Sequence, residues 1–201
     1  MYKPTLIVMA KAPRIGVGKT RLAAELGRTE AWRINRVLQA HTMGVARDDR
    51  WRTLLCVTPD SAVRERFDVW PSGLPRMRQG AGDLGVRLAR ALAGKRRVAI
   101  IGTDCPSLTP AHLVQAFTAL KRKPFVLGPA HDGGFWLLAA RSGRAASRAM
   151  DGVRWSSAHA AADVLRNLGA ADVALLPTLR DIDVAADWAA YRSAKRESSG
   201  V

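Results

Sequence analysis

The sequence predicts an α/β fold: a mainly parallel sheet covered by helices on both faces. Three observations predict it. Apolar runs of strand length alternate with stretches of helical apolar spacing along the chain. The length, 201 residues at 48% hydrophobic content, fits one domain with a substantial core. Polar, chemistry-bearing segments follow several of the strand-like runs, where sites form in folds of this class.

The elements follow in order. Strands are expected at Thr5–Ala10, Thr53–Thr58, Arg76–Gln79, Val98–Gly102, Phe125–Pro129, Phe135–Ala139 and Asp172–Leu176. Between them the apolar period lengthens to that of a helix. Ile34, Val37, Leu38 and His41 share one face, as do Leu84, Leu88, Ala91 and Leu92. Leu113, Ala116, Phe117 and Leu120 form a third face, and Ala161, Val164, Leu165 and Leu168 a fourth. Thr109-Pro110 reads as an N-cap followed by proline at the first helical position. Only "AHDGG" separates the fifth and sixth strands, too short for a parallel crossover, so an antiparallel element is expected there. The domain is expected to span 1–190, with a frayed tail at 191–201.

Bulk composition narrows the function classes. No apolar run reaches the roughly 20 residues of a membrane helix, and no signal peptide is evident, so the cytoplasm is the expected compartment. Cys56 and Cys105 make no metal pattern with the four histidines. The net charge of +15 raises nucleic acid as a partner. However, aromatics make up only 6% of the chain and do not interleave with the basic residues as a stacking platform would require. Two basic clusters, Lys95–Arg97 and Lys121–Lys123, lie at turns entering strands, away from the strand exits. Small anionic ligands suffice to explain the charge.

The first strand runs into "AKAPRIGVGKTRL", which imitates a nucleotide-binding P-loop. That motif places a glycine five residues before Gly18, where this chain has Pro13. Proline has no N–H to offer a phosphate and fixes φ. The loop is nonetheless basic, carrying Lys11, Arg14, Lys19 and Arg21, and reads as a different anion-binding strand–loop–helix or as a plain basic turn. "IIGTDCPSL" places Asp104 just beyond a buried strand. A carboxylate there can hold Mg²⁺ against phosphate oxygens or can serve as a turn or cap. "DIDVAAD" offers Asp181 and Asp183, one or the other to complete a two-carboxylate site with Asp104, or a cap for the last helix. Asp132 in "HDGG" lies in a turn between strands.

Taken together, "KAPRIGVGKTRL", "QGAGDLGVRL", "GTDCPSL", "GPAHDGGFWLL", "RWSS" and "DIDVAADW" resemble the bacterial radical-SAM/selenodomain-associated transferase 1 family. The likeness extends more weakly to 2-phospholactate guanylyltransferases and the molybdenum cofactor guanylyltransferase. It covers about Leu6 to Trp188 and implies a single-domain Rossmann-like GT-A, or nucleotide-diphospho-sugar transferase, fold. It implies Mg²⁺, with Mn²⁺ as the alternative, held by Asp104 and Asp183. It implies a nucleotide site over Ala10, Lys11, Pro13, Arg14, Gly16, Lys19, Arg21, Gln79, Gly80 and Asp83, with Lys19, Arg21 and Asp104 as the catalytic groups. Asp132, Gly133, Gly134 and Ser156 fall on the acceptor side, and Trp155 lies beside them. The implied donor is a nucleoside triphosphate or a nucleotide sugar, and the acceptor a small phosphorylated or hydroxylated compound. A binding protein without turnover is the non-catalytic alternative. Three departures stand out. Ile15 replaces a proline, Gly18 replaces a small apolar residue, and "DVAAD" replaces the "DTPED" of related nucleotidyltransferases.

Overall fold

A computed structural model describes residues 3–198. In chain order the elements are β1 Thr5–Lys11, α1 Thr20–Leu26, α2 Arg28–Ala46, β2 Arg52–Thr58, β3 Arg76–Arg78, α3 Leu84–Leu92, β4 Arg96–Ile101 and α4 Pro110–Ala119. There follow β5 Phe125–Pro129, β6 Phe135–Ser142, α5 Gly143–Arg148, α6 Ala160–Leu168, β7 Val173–Leu175 and α7 Ala185–Ser198. The strands form one sheet in the order β3-β2-β1-β4-β6-β5-β7. Strand β6 pairs antiparallel with both β4 and β5, while the other pairings are parallel. This is the antiparallel element that the short "AHDGG" connection requires.

Alternation along the strands sorts the core into two layers. Leu6, Val8, Leu55, Ala99 and Leu137 face Met43 of α2 and Leu113 and Phe117 of α4. Ile7, Cys56, Ile100 and Leu138 face Leu88 and Leu92 of α3, Ala146 of α5 and Val164 of α6. A smaller cluster of Leu22, Ile34, Leu38 and Ile182 ties α1 and α2 to the chain before α7. The order of the strands reverses between β1 and β4. The loops leaving those two strands therefore diverge and open a crevice between them.

The structure adjusts several boundaries. Gln79 and Gly102 lie just beyond their strands. Arg96 and Arg97 lie inside β4, because its pairing with β6 continues to Arg96–Ser142. Val37 is 52% exposed, so the buried face of α2 excludes it. That face instead buries Asn35, Gln39 and Thr42. These polar side chains are tolerated because they are bonded. Gln39 Nε2 donates to Lys11 O at 2.9 Å and Asn35 Oδ1 at 3.1 Å, while Gln39 Oε1 accepts from Trp70 Nε1 at 2.6 Å. Thr109 precedes α4 as expected. Its N–H donates to His112 Nδ1 at 3.2 Å across the first turn, and Pro110 opens the helix. Of the tail expected at 191–201, residues through Ser198 continue α7, and 199–201 lie outside the described residues.

The Gln39 network links α2 to the end of β1. Gln39→Leu keeps the bulk but strands the Trp70 N–H, the Lys11 carbonyl and the Asn35 side chain. Urea unfolding should show a loss of about 2–3 kcal/mol. A loss near zero would show that the network adds no stability.

Candidate active site

The crevice between the diverging loops holds a cavity of about 700 Å³, within the range of small-molecule sites. Its first wall is the loop after β1. Gly18 at φ 76° and Lys19 at φ 50° are consecutive left-handed residues that turn the chain into α1. A side chain at position 18 would be strained there, which gives Gly18 a local structural reason. Trp32 Nε1 donates to Pro13 O at 2.7 Å and pins the middle of the loop.

The turn drives the Lys19 side chain inward, where it is only 5% exposed. Its ammonium lies 2.8 Å from Asp104 Oδ1 and 3.1 Å from Asp183 Oδ1, and it also donates to Ile182 O. Burial pulls the Lys19 pKa down. Attraction to Asp104 and Asp183, with a hydrogen bond to each, outweighs burial, and the pKa is raised. Lys19 is charged at neutral pH.

Backbone pairing brings the two carboxylates to it. Asp104 leaves β4 through Gly102 and Thr103. Asp183 arrives on a segment stitched along the sheet edge: Leu179 N donates to Pro129 O, His131 N to Leu179 O and Ile182 N to Asp104 O. Asp187 accepts from the backbone N–H groups of Asp183 and Val184 at 3.1 Å each, and so caps the start of α7. The same stitching brings in Asp181. Carboxylate oxygens of Asp132, Asp181 and Asp183 lie within 4.8 Å of one another. Burial, then the negative charge of Asp132, followed by Asp183 and Asp104, pushes the Asp181 carboxyl up to about 6. Cys105 lines the same region, and burial pushes its thiol up, away from reactivity.

The far wall comes from the β5–β6 turn and the loop before α6. Asp132 Oδ1 accepts from Gly134 N at 2.8 Å. Gly133, at φ 84°, packs so closely that a Cβ would lie 2.2 Å from Ala158 O. Asp163, with no side-chain exposure, anchors the loop. It accepts from Arg154 N at 3.1 Å, Nε at 2.9 Å and Nη2 at 2.8 Å, and from Arg166 Nη2 at 2.8 Å.

Of the residues singled out in the sequence, Ala10, Lys11, Lys19, Arg21, Gln79, Asp104, Asp132, Gly134, Ser156 and Asp183 line the cavity. Pro13, Arg14, Gly16, Gly80, Asp83 and Gly133 do not. Arg14 pairs with Glu65, the Gly80 N–H donates to Asp60, and Asp83 caps α3 through Val86 N at 2.9 Å. Asn35, Leu84, Leu88 and Phe135 line the cavity without having been singled out. For Asn35 a signal was present: with Gln39 it places polar groups one turn apart beside the apolar stripe of α2. The basic clusters at 95–97 and 121–123 stand outside this cavity's lining.

The fold and this crevice define an α/β architecture of the GT-A, nucleotide-diphospho-sugar transferase type. Within it, the chain belongs to the family described as "Uncharacterized protein conserved in bacteria (DUF2064)", whose model matches residues 42–157. It is similar to a protein of Desulfovibrio desulfuricans G20 provisionally assigned as a nucleotide-diphospho-sugar transferase. The two are 26% identical over 92% of this chain and 84% of that one, with a TM-score of 0.83. The fold is shared with 4-diphosphocytidyl-2C-methyl-D-erythritol synthase of Anaerococcus prevotii DSM 20548, at 10% identity, 97% and 96% coverage and a TM-score of 0.64. It is also shared with Rv0371C of Mycobacterium tuberculosis H37Rv, a structure in complex with manganese, at 19% identity, 92% and 96% coverage and a TM-score of 0.52. No curated protein matches significantly. No helix among the described residues is long and apolar enough to cross a membrane.

Hydrogen bonds from the Arg154 side chain and backbone, helped by Arg166, hold Asp163 below the usual carboxylate range. A lowered pKa contributes stability that is present above the ordinary value of about 4 and lost as pH falls through the folded-state value. Thermal melts of Asp163→Asn should therefore lie below wild type at pH 7, with the gap narrowing as pH drops below about 4. A gap independent of pH would remove this role for the charge.

Proposed function

We propose that the chain is a divalent-metal-dependent nucleotidyltransferase. It moves a nucleoside monophosphate from a nucleoside triphosphate to a small acceptor and releases pyrophosphate. The observation that carries this reading is the buried Lys19 ammonium at the sheet switch point, set between two carboxylates, with Lys11 at the end of β1 and Arg21 in the first turn of α1 lining the same cavity. The finer likeness to the radical-SAM-associated transferases is part of the proposal and rests on the six sequence motifs.

The donor set fits a hard cation. It is all carboxylate oxygen: Asp132, Asp181 and Asp183 converge within 4.8 Å, and Asp104 shares the Lys19 ammonium with Asp183. Asp183 and Asp104 are the proposed ligands for Mg²⁺ or Mn²⁺, with Asp181 and Asp132 beside them. Bound there, a divalent cation supplies charge neutralisation and polarisation of phosphate oxygens. The manganese complex of the fold relative Rv0371C supports a site of this type.

The chain's own groups do the rest. Lys11, Lys19 and Arg21 receive the β and γ phosphates and stabilise the charge that gathers on the leaving pyrophosphate. Lys19 then exchanges carboxylate partners for phosphate partners. Gln79 holds its place beside the base and ribose through Nε2 bonds to Cys56 O at 3.0 Å and Ala10 O at 3.3 Å. Asp132, with Gly134 and Ser156, faces the acceptor. The reaction proceeds by positioning, without a covalent enzyme intermediate.

Transfer of a sugar from a nucleotide sugar is the second reading, favoured by the Desulfovibrio relative. Stability against added ligand separates the two. A triphosphate with Mg²⁺ should raise the melting temperature more than the matching nucleotide sugar, increasingly with concentration. Strong stabilisation by a nucleotide sugar, with none from any triphosphate, would transfer the assignment to sugar transfer. In the same assay Lys19→Ala should weaken triphosphate binding by about 1.5–3 kcal/mol, the value of a charge-assisted contact. Unchanged affinity in a cooperatively melting variant would remove Lys19 from the phosphate site.

A further inference from the structure

The chain carries 32 lysines and arginines, yet they are distributed unevenly around the cavity. Lys11 at the end of β1, Lys19 on the loop that follows and Arg21 at the start of α1 stand on one side, and Arg87 on α3 donates Nε to Gly82 O at 2.7 Å. Among the described lining residues between 130 and 160 there is no lysine or arginine. The nearest candidate by sequence, Arg154, is held by Asp163 and does not line the cavity.

That wall offers aromatic surface, hydroxyls and a carboxylate instead. Half-buried Trp155 meets Phe135 edge-on, ring centres 6.2 Å apart at 65°. Its indole backs onto Gly85, where a Cβ would lie 2.4 Å from Nε1, so α3 fixes the ring from behind. Ser156 is exposed and left-handed at φ 59°, and Asp132 is exposed across from it. With the metal and Lys19 engaged at Asp183, a phosphate or carboxylate on the acceptor would still find no lysine or arginine on this wall to receive it, and would face the exposed Asp132. A carboxylate facing an acceptor anion repels it. An uncharged polyol meets none of that repulsion. Its hydroxyls can donate to Asp132 and bond Ser156, while a C–H-rich face covers the Trp155 and Phe135 rings.

The geometry points to an uncharged, polyhydroxylated ring compound, a sugar or cyclitol without phosphate or carboxylate, as the acceptor, stacked on Trp155. This inference rests on the donor assignment above and narrows its acceptor. The reactive group is then a hydroxyl. Its oxygen forms the new bond to the α-phosphorus, the bond to the pyrophosphate oxygen breaks, and the hydroxyl proton is released toward the acidic cluster.

The test uses the full chain loaded with a non-hydrolysable triphosphate analogue and Mg²⁺, with tryptophan emission and calorimetry as readouts. The probes are D-glucose, D-mannose and myo-inositol, each paired with its monophosphate ester. At least one neutral member should bind about tenfold or more tightly than its ester. Trp155→Ala should weaken that binding about tenfold, while Trp155→Phe keeps most of it, and neither should change analogue affinity. Ser156→Lys, which adds a cation to the wall, should shift preference toward the ester. Tighter binding of the esters to wild type overturns the inference, as does binding of no neutral member to analogue-loaded protein. Failure of the analogue itself to bind overturns the donor assignment instead, so the two failures are separable.

Discussion

The ammonium of Lys19 is where three distant stretches of chain meet. It reaches Asp104 beyond β4 and both Asp183 and the Ile182 carbonyl on the segment before α7. With the side chain 5% exposed, the contact is made in a setting where unpaired charge is costly. Remove the cation, and two carboxylates face each other with Asp181 and Asp132 close behind. This one buried cation ties together, at the crevice, the first loop, the Asp104 loop and the C-terminal segment, each of which is also held by its own backbone bonds and packing. The left-handed turn at Gly18–Lys19 aims it.

Charge is divided around the cavity in a way that gives each wall a different task. Cations gather where β1 turns into α1 and, with Arg87, on α3, carboxylates at the centre, and aromatic and hydroxyl groups at the β5–β6 turn and the loop before α6. Donor phosphates, a divalent cation and an uncharged acceptor would each meet the group suited to it. The basic residues at the strand entries belong to another part of the surface. A high net charge can therefore coexist with a strongly acidic cavity centre.

Much of this was legible in the sequence because the relevant signals are local. Seven apolar runs gave seven strands, and the short "AHDGG" gap required the antiparallel pairing of β5 and β6. The segments leaving β1, β4 and β5 bring Lys19, Asp104 and Asp132 to one edge of the sheet, while Asp183, like Asp181, was singled out through its motif near the C-terminus. What could not be read depends on pairings between distant segments. Asp181 joins Asp132 and Asp183 only because 179–182 is bonded to the ends of β5 and β4. Asp83 reads as a ligand in its motif but is committed to capping α3. Val37 fits the helical period yet faces out, because bonded Asn35 and Gln39 take up the buried face of α2. The acceptor wall brings Phe135 against Trp155, a contact that no spacing announces.

The central proposal is that Lys19 holds the place of a cation between Asp104 and Asp183, the proposed metal ligands, until phosphates draw it away. Calorimetric titration of Mn²⁺ into wild type and Lys19→Met, without nucleotide, tests it most directly. The account predicts that Lys19→Met binds Mn²⁺ about tenfold more tightly, because the carboxylates need not release an ammonium first, although the same variant binds triphosphate more weakly. Equal or weaker Mn²⁺ binding by a folded Lys19→Met protein would contradict it.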